Sequence, residues 1–135
     1  MTAEQYLDQI KKCDAMIKNR IRDHARWVEI AEGFGGAAVG ERVQSSRNLH
    51  RGSDAIGRYI DIEREIDKIK EERLSIIRTI EKLPSLEYEV IYKLYVQDYS
   101  IKEIAYQMRK SYRWVRYRKE DGLIHLQIML DEATA

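Results

Sequence analysis

Apolar positions recur at helical spacing along two long stretches of the chain. Residues 2–32 and residues 53–82 each carry an apolar side chain about every three or four positions, which predicts two long helices with narrow apolar stripes. The first stripe contains Tyr6, Ile10, Cys13, Ile17, Ile21, Val28 and Ile30. The second contains Ile56, Tyr59, Ile62, Ile66, Ile69, Ile76, Ile77 and Ile80.

The polar faces of both predicted helices mix acidic and basic residues in nearly equal number, which is typical of an antiparallel hairpin or coiled coil. A helix of about thirty residues extends about 45 Å. Because narrow stripes bury little area, we expect a homo-oligomer, with a dimer favoured, to complete the core. A monomeric hairpin that packs against the rest of the chain is the alternative.

Glycine is concentrated between the two stretches. Four of the seven glycines lie in residues 33–40, and residues 41–52 are rich in Arg, Ser, Asn and His, so we predict a flexible loop over residues 33–52. A phosphate-binding loop is disfavoured because no Lys-Ser or Lys-Thr pair follows and no strand precedes the glycines. The basic residues of this loop are candidates for contact with DNA or a partner, with a solvated loop as the alternative: Arg42, Arg47, His50 and Arg51.

Three shorter helices are predicted after the only proline. Leu83-Pro84-Ser85 ends the second long helix, and Ser85 is expected to cap a helix from Leu86 whose inner face is Leu86, Val90, Ile91 and Leu94. Ser100 and Glu103 form a predicted capping box before a helix with Ile101, Ile104, Ala105 and Met108 on one face. The last helix is expected to start at Ser111. Its inner stripe is Val115, Gly122, Leu123, Leu126 and Met129, and its outward residues are Arg113, Arg116, Tyr117 and Glu120.

These elements predict an all-α fold. We expect residues 1–83 to form a long helical hairpin used for oligomerisation, and residues 84–135 to form a trihelical helix-turn-helix domain.

Positive charge dominates the predicted second helix of the motif. No acidic residue lies between Glu103 and Glu120, whereas Arg and Lys alternate there with aromatic residues. Phosphates attract Arg and Lys almost regardless of base sequence, and base edges favour the forked guanidinium group. The predicted DNA-binding residues are Lys110, Ser111, Tyr112, Arg113, Trp114, Arg116, Tyr117, Arg118 and Lys119. The alternative is a solvated basic face whose aromatic side chains belong to the core.

Roles within this set follow from side-chain chemistry. Arg113 and Arg116 are predicted to contact bases. Tyr112 and Trp114 are placed to stack on sugars or to contact thymine methyl groups. Basic residues at the edges of the helix are predicted to contact backbone phosphates, namely Lys110, Arg118 and Lys119.

The C-terminal pattern resembles region four of bacterial sigma factors, in residues 86–95, 100–108, 111–115 and 123–126. More widely, the chain resembles small phage and prophage regulators of late transcription, termed ArpU-like and RinA-like. That likeness includes residues 6–10, 43–46, 62–66, 90–96, 103–105 and 111–113. It implies sequence-directed binding of double-stranded DNA near phage promoters and contact with host RNA polymerase. It also implies that Ser111 opens the recognition helix, that Val115 is its buried anchor, and that Tyr112, Arg113, Arg116 and Tyr117 face DNA.

Two positions depart from that family pattern. Arg109 lies in the turn where glycine is frequent, so we expect either a different turn or a positive φ at Arg109. Gly122 replaces the usual alanine, which lowers helix stability by about 1 kcal/mol unless close packing requires glycine.

Composition restricts the remaining functional classes. A chain of 135 residues with 44% apolar residues and a net charge of +1 suits one or two small helical domains. The single cysteine, Cys13, gives no disulfide framework and is expected in the core, and His24, His50 and His125 lie in no metal or triad motif. We therefore expect no enzyme, cofactor or metal. No apolar run is long enough to span a membrane and no signal peptide is predicted, so the expected location is the cytoplasm of a bacterial host.

Two alternative functions remain open. Small terminase subunits for phage DNA packaging also join a helix-turn-helix to oligomerising helices, although their DNA reader lies near the N-terminus. An adaptor that engages RNA polymerase without reading DNA is the other alternative.

Overall fold

The computed structural model describes residues 1–37 and 46–134, and in these ranges the chain is helical without strands. The helices are α1 (Ala3–Ala37), α2 (Ser46–Ile80), α3 (Ser85–Ile91), α4 (Ile101–Met108) and α5 (Tyr112–Thr134). A π-helical segment, Tyr92–Val96, directly continues α3. The predicted all-α fold is confirmed.

Both long helices extend into the predicted loop. Helix α1 continues to Ala37 and α2 begins at Ser46, so the prediction of a loop over residues 33–52 is wrong at both ends. Residues 38–45 lie outside the described residues, and the predicted loop residue Arg42 is among them. A glycine lowers helix stability by only about 1 kcal/mol, and neighbouring helical turns tolerate that penalty. Three of the basic residues that were predicted in the loop lie within α2, so their backbone is helical: Arg47, His50 and Arg51.

Contacts divide the chain into two compact units. Unit 1 comprises Met1–Asp14 with Glu72–Ala135, and unit 2 comprises Ala15–Glu71. This division does not coincide with the predicted boundary after residue 83. The reason is that the first turns of α1 and the last turns of α2 share a hydrophobic core with α5.

Unit 1 has a core built from five helical regions. Its fully buried side chains include Leu7, Ile10, Ile80, Ile91 and Leu126. The Tyr6 hydroxyl donates to Thr79 Oγ1 over 3.1 Å, and the Ala3 N–H donates to Gln127 Oε1 over 2.7 Å. These bonds join the start of α1 to α2 and α5. Leu7, which the predicted stripe omits, has no exposed surface.

Two buried core residues of unit 1, Tyr95 and Cys13, are ionisable and have raised pKa values. Burial raises the pKa of Tyr95 to about 12, with smaller contributions from the carboxylates of Glu4 and Asp8. Burial also raises the pKa of the Cys13 thiol, and Glu72 adds to this effect. Cys13 lies in the core, as predicted.

In unit 2, the later part of α1 packs antiparallel to the earlier part of α2. Ala55, Ile62 and Ile69 are buried at seven-residue intervals. Two polar contacts flank this apolar row: Arg20 Nε lies 2.9 Å from Glu65 Oε2 in an ion pair, and His24 Nε2 is hydrogen-bonded to Glu63 Oε1 over 2.8 Å.

Two residues of the predicted stripes are exposed in unit 2. Ile21 is 53% exposed and Ile56 is 44% exposed, so placing them on the inner faces was wrong. Successive helical residues are about 100° apart. Once Ala55 faces inward, Ile56 is therefore turned away from the buried face.

The start of α3 also differs from the prediction. Pro84 is the N-cap residue in an extended conformation, and Ser85 is the first helical residue rather than a side-chain cap. With this start, Val90 and Ile91 are fully buried, while Leu86 is 49% exposed instead of lying on the inner face.

Candidate functional site

Helix α4 begins with the predicted capping box. The Glu103 N–H donates to Ser100 Oγ over 3.1 Å, and the Ser100 N–H donates to Glu103 Oε1 over 3.4 Å. Two backbone donors at the helix start are thereby satisfied. Ile104 and Ala105 lie on the buried face of this helix, as their spacing predicts.

A left-handed residue ends α4. Arg109 has φ 56° and ψ 44°, and its N–H donates to Tyr106 O over 3.3 Å. The Lys110 N–H donates to Ala105 O over 3.0 Å. The positive φ expected as one alternative at Arg109 is therefore observed, and it turns the chain within three residues toward α5.

Ser111 caps α5. Its side-chain oxygen accepts a hydrogen bond of 3.0 Å from the Trp114 N–H, so the helix starts at Tyr112, one residue after the predicted start. Val115 is fully buried and packs in one cluster with Val90, Ile104 and Ala105. This cluster fixes α5 against α3 and α4.

Close packing explains Gly122. A Cβ atom at this position would lie 2.9 Å from Ile91 Cγ1 and 3.5 Å from Glu87 Cβ. Nearby, Glu87 is buried, and His125 Nδ1 lies 2.7 Å from its Oε2 atom. The glycine lets α3 approach α5 closely, so the alternative in which close packing requires it is correct.

The outward face of α5 carries most of the predicted site residues. Arg113, Arg116 and Tyr117 are exposed, as are Glu120 on the same face and Tyr112 at the helix start. Lys110 and Ser111 are exposed just before the helix. Three other predicted residues are half-buried, namely Trp114, Arg118 and Lys119.

The Trp114 ring lies between two cations. Lys110 Nζ is 5.2 Å and Arg118 Cζ is 5.5 Å from its centroid, within the range of cation–π attraction. Trp114 also packs against the cluster around Val115. Its ring therefore holds Lys110 and Arg118 at the edge of the outward face.

The two arginines predicted to contact bases each have a partner four residues later. Arg113 Nε donates to the Tyr117 hydroxyl over 3.3 Å, and Arg116 Nε lies 3.4 Å from Glu120 Oε1. Arg118 Nη1 also lies 3.6 Å from Asp121 Oδ2. Helical periodicity predicts only an outward position for Glu120 and does not by itself give these arginines partners. The i, i+4 spacing was the available signal.

Other site types find no support in the described part of the chain. It contains no group of three or more His, Cys, Asp or Glu residues that could hold a metal ion. None of its helices is apolar over a length sufficient to cross a membrane.

No model of a known protein family matches the chain, and comparisons with curated proteins and with solved structures also give no match.

Proposed function

We propose that this protein is a sequence-specific DNA-binding regulator of phage or prophage transcription, and that the first half of α5 is its recognition helix. The observation that carries the proposal is the division of this helix into two faces. Val115 is fully buried against α3 and α4, while Arg113 and Arg116 are exposed on the opposite side. The helix is thus held by its inner face and presents cations on the outer one.

The dimensions of this segment suit a DNA groove. The major groove of B-DNA is about 12 Å wide, which accommodates an α-helix with side chains of about 10–12 Å in diameter, and residues 112–119 are the span proposed to lie in it. No acidic residue lies in this span. Residues 112–119 therefore enter the groove without a carboxylate of their own, and the first carboxylate after them is that of Glu120.

Most side chains of the proposed site have a role that their chemistry supports. The guanidinium groups of Arg113 and Arg116 match the O6 and N7 acceptors of guanine. Tyr112 lies at the helix start, where it contacts sugars or a thymine methyl group. Lys110 and Arg118, on either side of Trp114, bind backbone phosphates, as does Lys119.

We further propose that the long helices associate two copies of the chain. Unit 2 buries only small apolar area: Ala55, Ile62 and Ile69 are its buried apolar residues among those described, and Ile21 and Ile56 remain exposed. Burial of such side chains in a dimer stabilises it by removing apolar surface from water. A dimer presents two recognition helices to two half-sites. By its resemblance to sigma region four, the C-terminal part also contacts host RNA polymerase.

Fluorescence anisotropy with labelled DNA tests this proposal. Fragments from around the gene are compared with random duplexes across a salt series, using the wild type and Arg113→Ala/Arg116→Ala. One fragment should bind at least about tenfold more tightly than random DNA, and the variant should lose this preference. Loss of two phosphate or base contacts should also reduce the salt slope by up to about 2.

A matched control removes two arginines elsewhere. Arg26→Ala/Arg64→Ala makes the same charge change at exposed positions of unit 2 and should retain the preference for the fragment. If no fragment binds above random DNA, the proposed function is wrong, and the adaptor alternative is tested next with RNA polymerase.

A further inference from the structure

Two side chains on the outward face of α5 engage the arginines in the same way. Tyr117 and Glu120 each lie four residues after an arginine, and each meets its Nε atom, at 3.3 Å from Arg113 and at 3.4 Å from Arg116. A guanidinium group has five N–H donors, and Nε carries only one of them. These two contacts therefore leave the terminal amino groups, which form the fork that matches guanine, available for DNA.

The same contacts restrict the directions in which the arginines extend. Arg113 also lies over the Tyr117 ring, with 5.8 Å between its Cζ atom and the ring centroid. Arg and Lys side chains have many rotamers, and ordering them on binding is unfavourable. A side chain already directed along the outward face loses less freedom when it meets a base edge.

The two partners of the arginines differ in charge. Glu120 is a carboxylate beside Arg116, so a phosphate that approaches Arg116 must displace or oppose that carboxylate. The Tyr117 hydroxyl is neutral and gives no such competition. Arg116 can meet a base edge through its terminal amino groups while Nε stays with Glu120.

We infer that Tyr117 and Glu120 are specificity-determining residues of the recognition helix. Tyr117 positions Arg113 for base contact, and Glu120 both positions Arg116 and withholds it from phosphates. This inference rests on the proposed function, because it assigns how the same helix distinguishes one DNA sequence from bulk DNA. Specific complexes keep the Arg116–Glu120 pair, and non-specific complexes break it.

The reason for such an arrangement lies in the energetics of DNA search. Non-specific binding depends almost entirely on phosphate contacts, whereas specific binding adds base contacts. A carboxylate that opposes only phosphate contact weakens non-specific complexes more than specific ones. The ratio of the two affinities then rises without any new contact to DNA.

The test measures both affinities for single variants. The probes are the fragment that the wild type prefers and a random duplex of equal length, each followed by anisotropy over a salt series. Glu120→Gln should raise the affinity for random DNA about threefold. Because Arg116 then neutralises one more phosphate, the slope of log K against log salt concentration should steepen by about 0.9. The affinity of this variant for the preferred fragment should change by less than about twofold.

Tyr117→Phe should weaken the specific complex and leave the non-specific one unchanged. The ring remains beside Arg113 but the hydroxyl acceptor is lost, so the affinity for the preferred fragment should fall about threefold. The affinity for random DNA and its salt slope should not change. The double variant should therefore lose about tenfold in the ratio of specific to random binding.

Matched controls separate these effects from general ones. Glu132→Gln makes the same charge change on α5, twelve residues or about 18 Å further along the helix. This distance exceeds the screening length of about 10 Å at 0.1 M salt, so the control should bind both probes like the wild type. Tyr88→Phe, on α3, is the control for loss of a tyrosine hydroxyl. Circular dichroism establishes that each variant is folded.

The outcomes distinguish this inference from the proposed function. Suppose that the wild type prefers one fragment, that Glu120→Gln has the same affinity for random DNA as Glu132→Gln, and that Tyr117→Phe has the same affinity for the preferred fragment as Tyr88→Phe. The inference is then overturned and the proposed function stands. If the wild type prefers no fragment, both are overturned.

Discussion

Replacing Gly122 by alanine tests the close approach of α3 and α5. The added Cβ atom would lie 2.9 Å from Ile91 Cγ1 and 3.3 Å from Ile91 Cδ1. Favourable contacts between carbon atoms lie at about 3.5–4.0 Å. Ile91 is fully buried and β-branched, so its side chain has little freedom to move away.

Two opposing effects determine the free energy of unfolding of Gly122→Ala. Alanine favours the helix by about 1 kcal/mol. Overpacking of a buried site typically destabilises by about 1–3 kcal/mol. We therefore expect a net destabilisation of about 1 kcal/mol, because the closest contact is with a branched core side chain.

Gly57→Ala is the matched control on α2. Beyond the local helix backbone and its chain neighbours, no atom of the described residues lies within 4 Å of the Cβ position at Gly57. The helix-propensity gain should act alone there and stabilise the protein by up to about 1 kcal/mol. The two variants should thus shift stability in opposite directions.

Urea unfolding followed by circular dichroism measures this difference. With an m-value of about 2 kcal/mol/M, a change of about 1 kcal/mol shifts the midpoint by about 0.5 M. Gly122→Ala should lower the midpoint and Gly57→Ala should raise it. An equal rise in both variants would refute the close packing of α3 on α5.

Three further changes have definite expected results. Ser100→Ala removes the side-chain cap of α4 and should lower the free energy of unfolding by about 1 kcal/mol in urea titrations, whereas an unchanged midpoint would contradict the cap. His125→Ala leaves the buried Glu87 carboxylate without this partner and should destabilise by about 1–3 kcal/mol in the same assay, with a variant as stable as the wild type as the contrary result. Burial raises the pKa of Tyr95 to about 12 from 10.0, so the unfolded chain loses this proton at a lower pH than the folded protein. The free energy of unfolding therefore keeps its full Tyr95 contribution below pH 10 and falls as the pH rises toward 12. Tyr95→Phe should lose less stability over this interval in urea midpoints measured at several pH values, and an equal loss would assign the effect to other groups.

The local features of the C-terminal part could be predicted because they depend on short spacings. The capping box needs only Ser100 and Glu103 three residues apart, and the inner position of Val115 follows from helical periodicity. The turn at Arg109 was less determined, since a non-glycine residue adopts a positive φ only when its surroundings hold it there.

Other features depend on contacts between distant residues and were not predictable in this way. The glycines of residues 33–40 predict a helix end, yet α1 continues to Ala37 and α2 begins at Ser46, because the penalty of glycine is small within a long helix. The exposure of Leu86 depends on whether α3 begins one residue earlier. The burial of Leu7 depends on a core shared with α5, more than a hundred residues away in sequence.

The candidate site shows the same distinction. Spacing placed Arg113, Arg116 and Tyr117 outward, and the structure agrees. Trp114 was assigned to DNA from its chemistry, but its half-buried ring between Lys110 and Arg118 reflects packing that only the folded chain defines.

Selection of bound duplexes from a random library tests the central claim most directly. The wild type is compared with Arg113→Lys, which keeps the positive charge but removes the forked guanidinium group. Base reading by α5 predicts that the wild type enriches one sequence, and that the variant loses preference at a subset of its positions while its salt slope is unchanged. Enrichment of no sequence by the wild type would contradict the account.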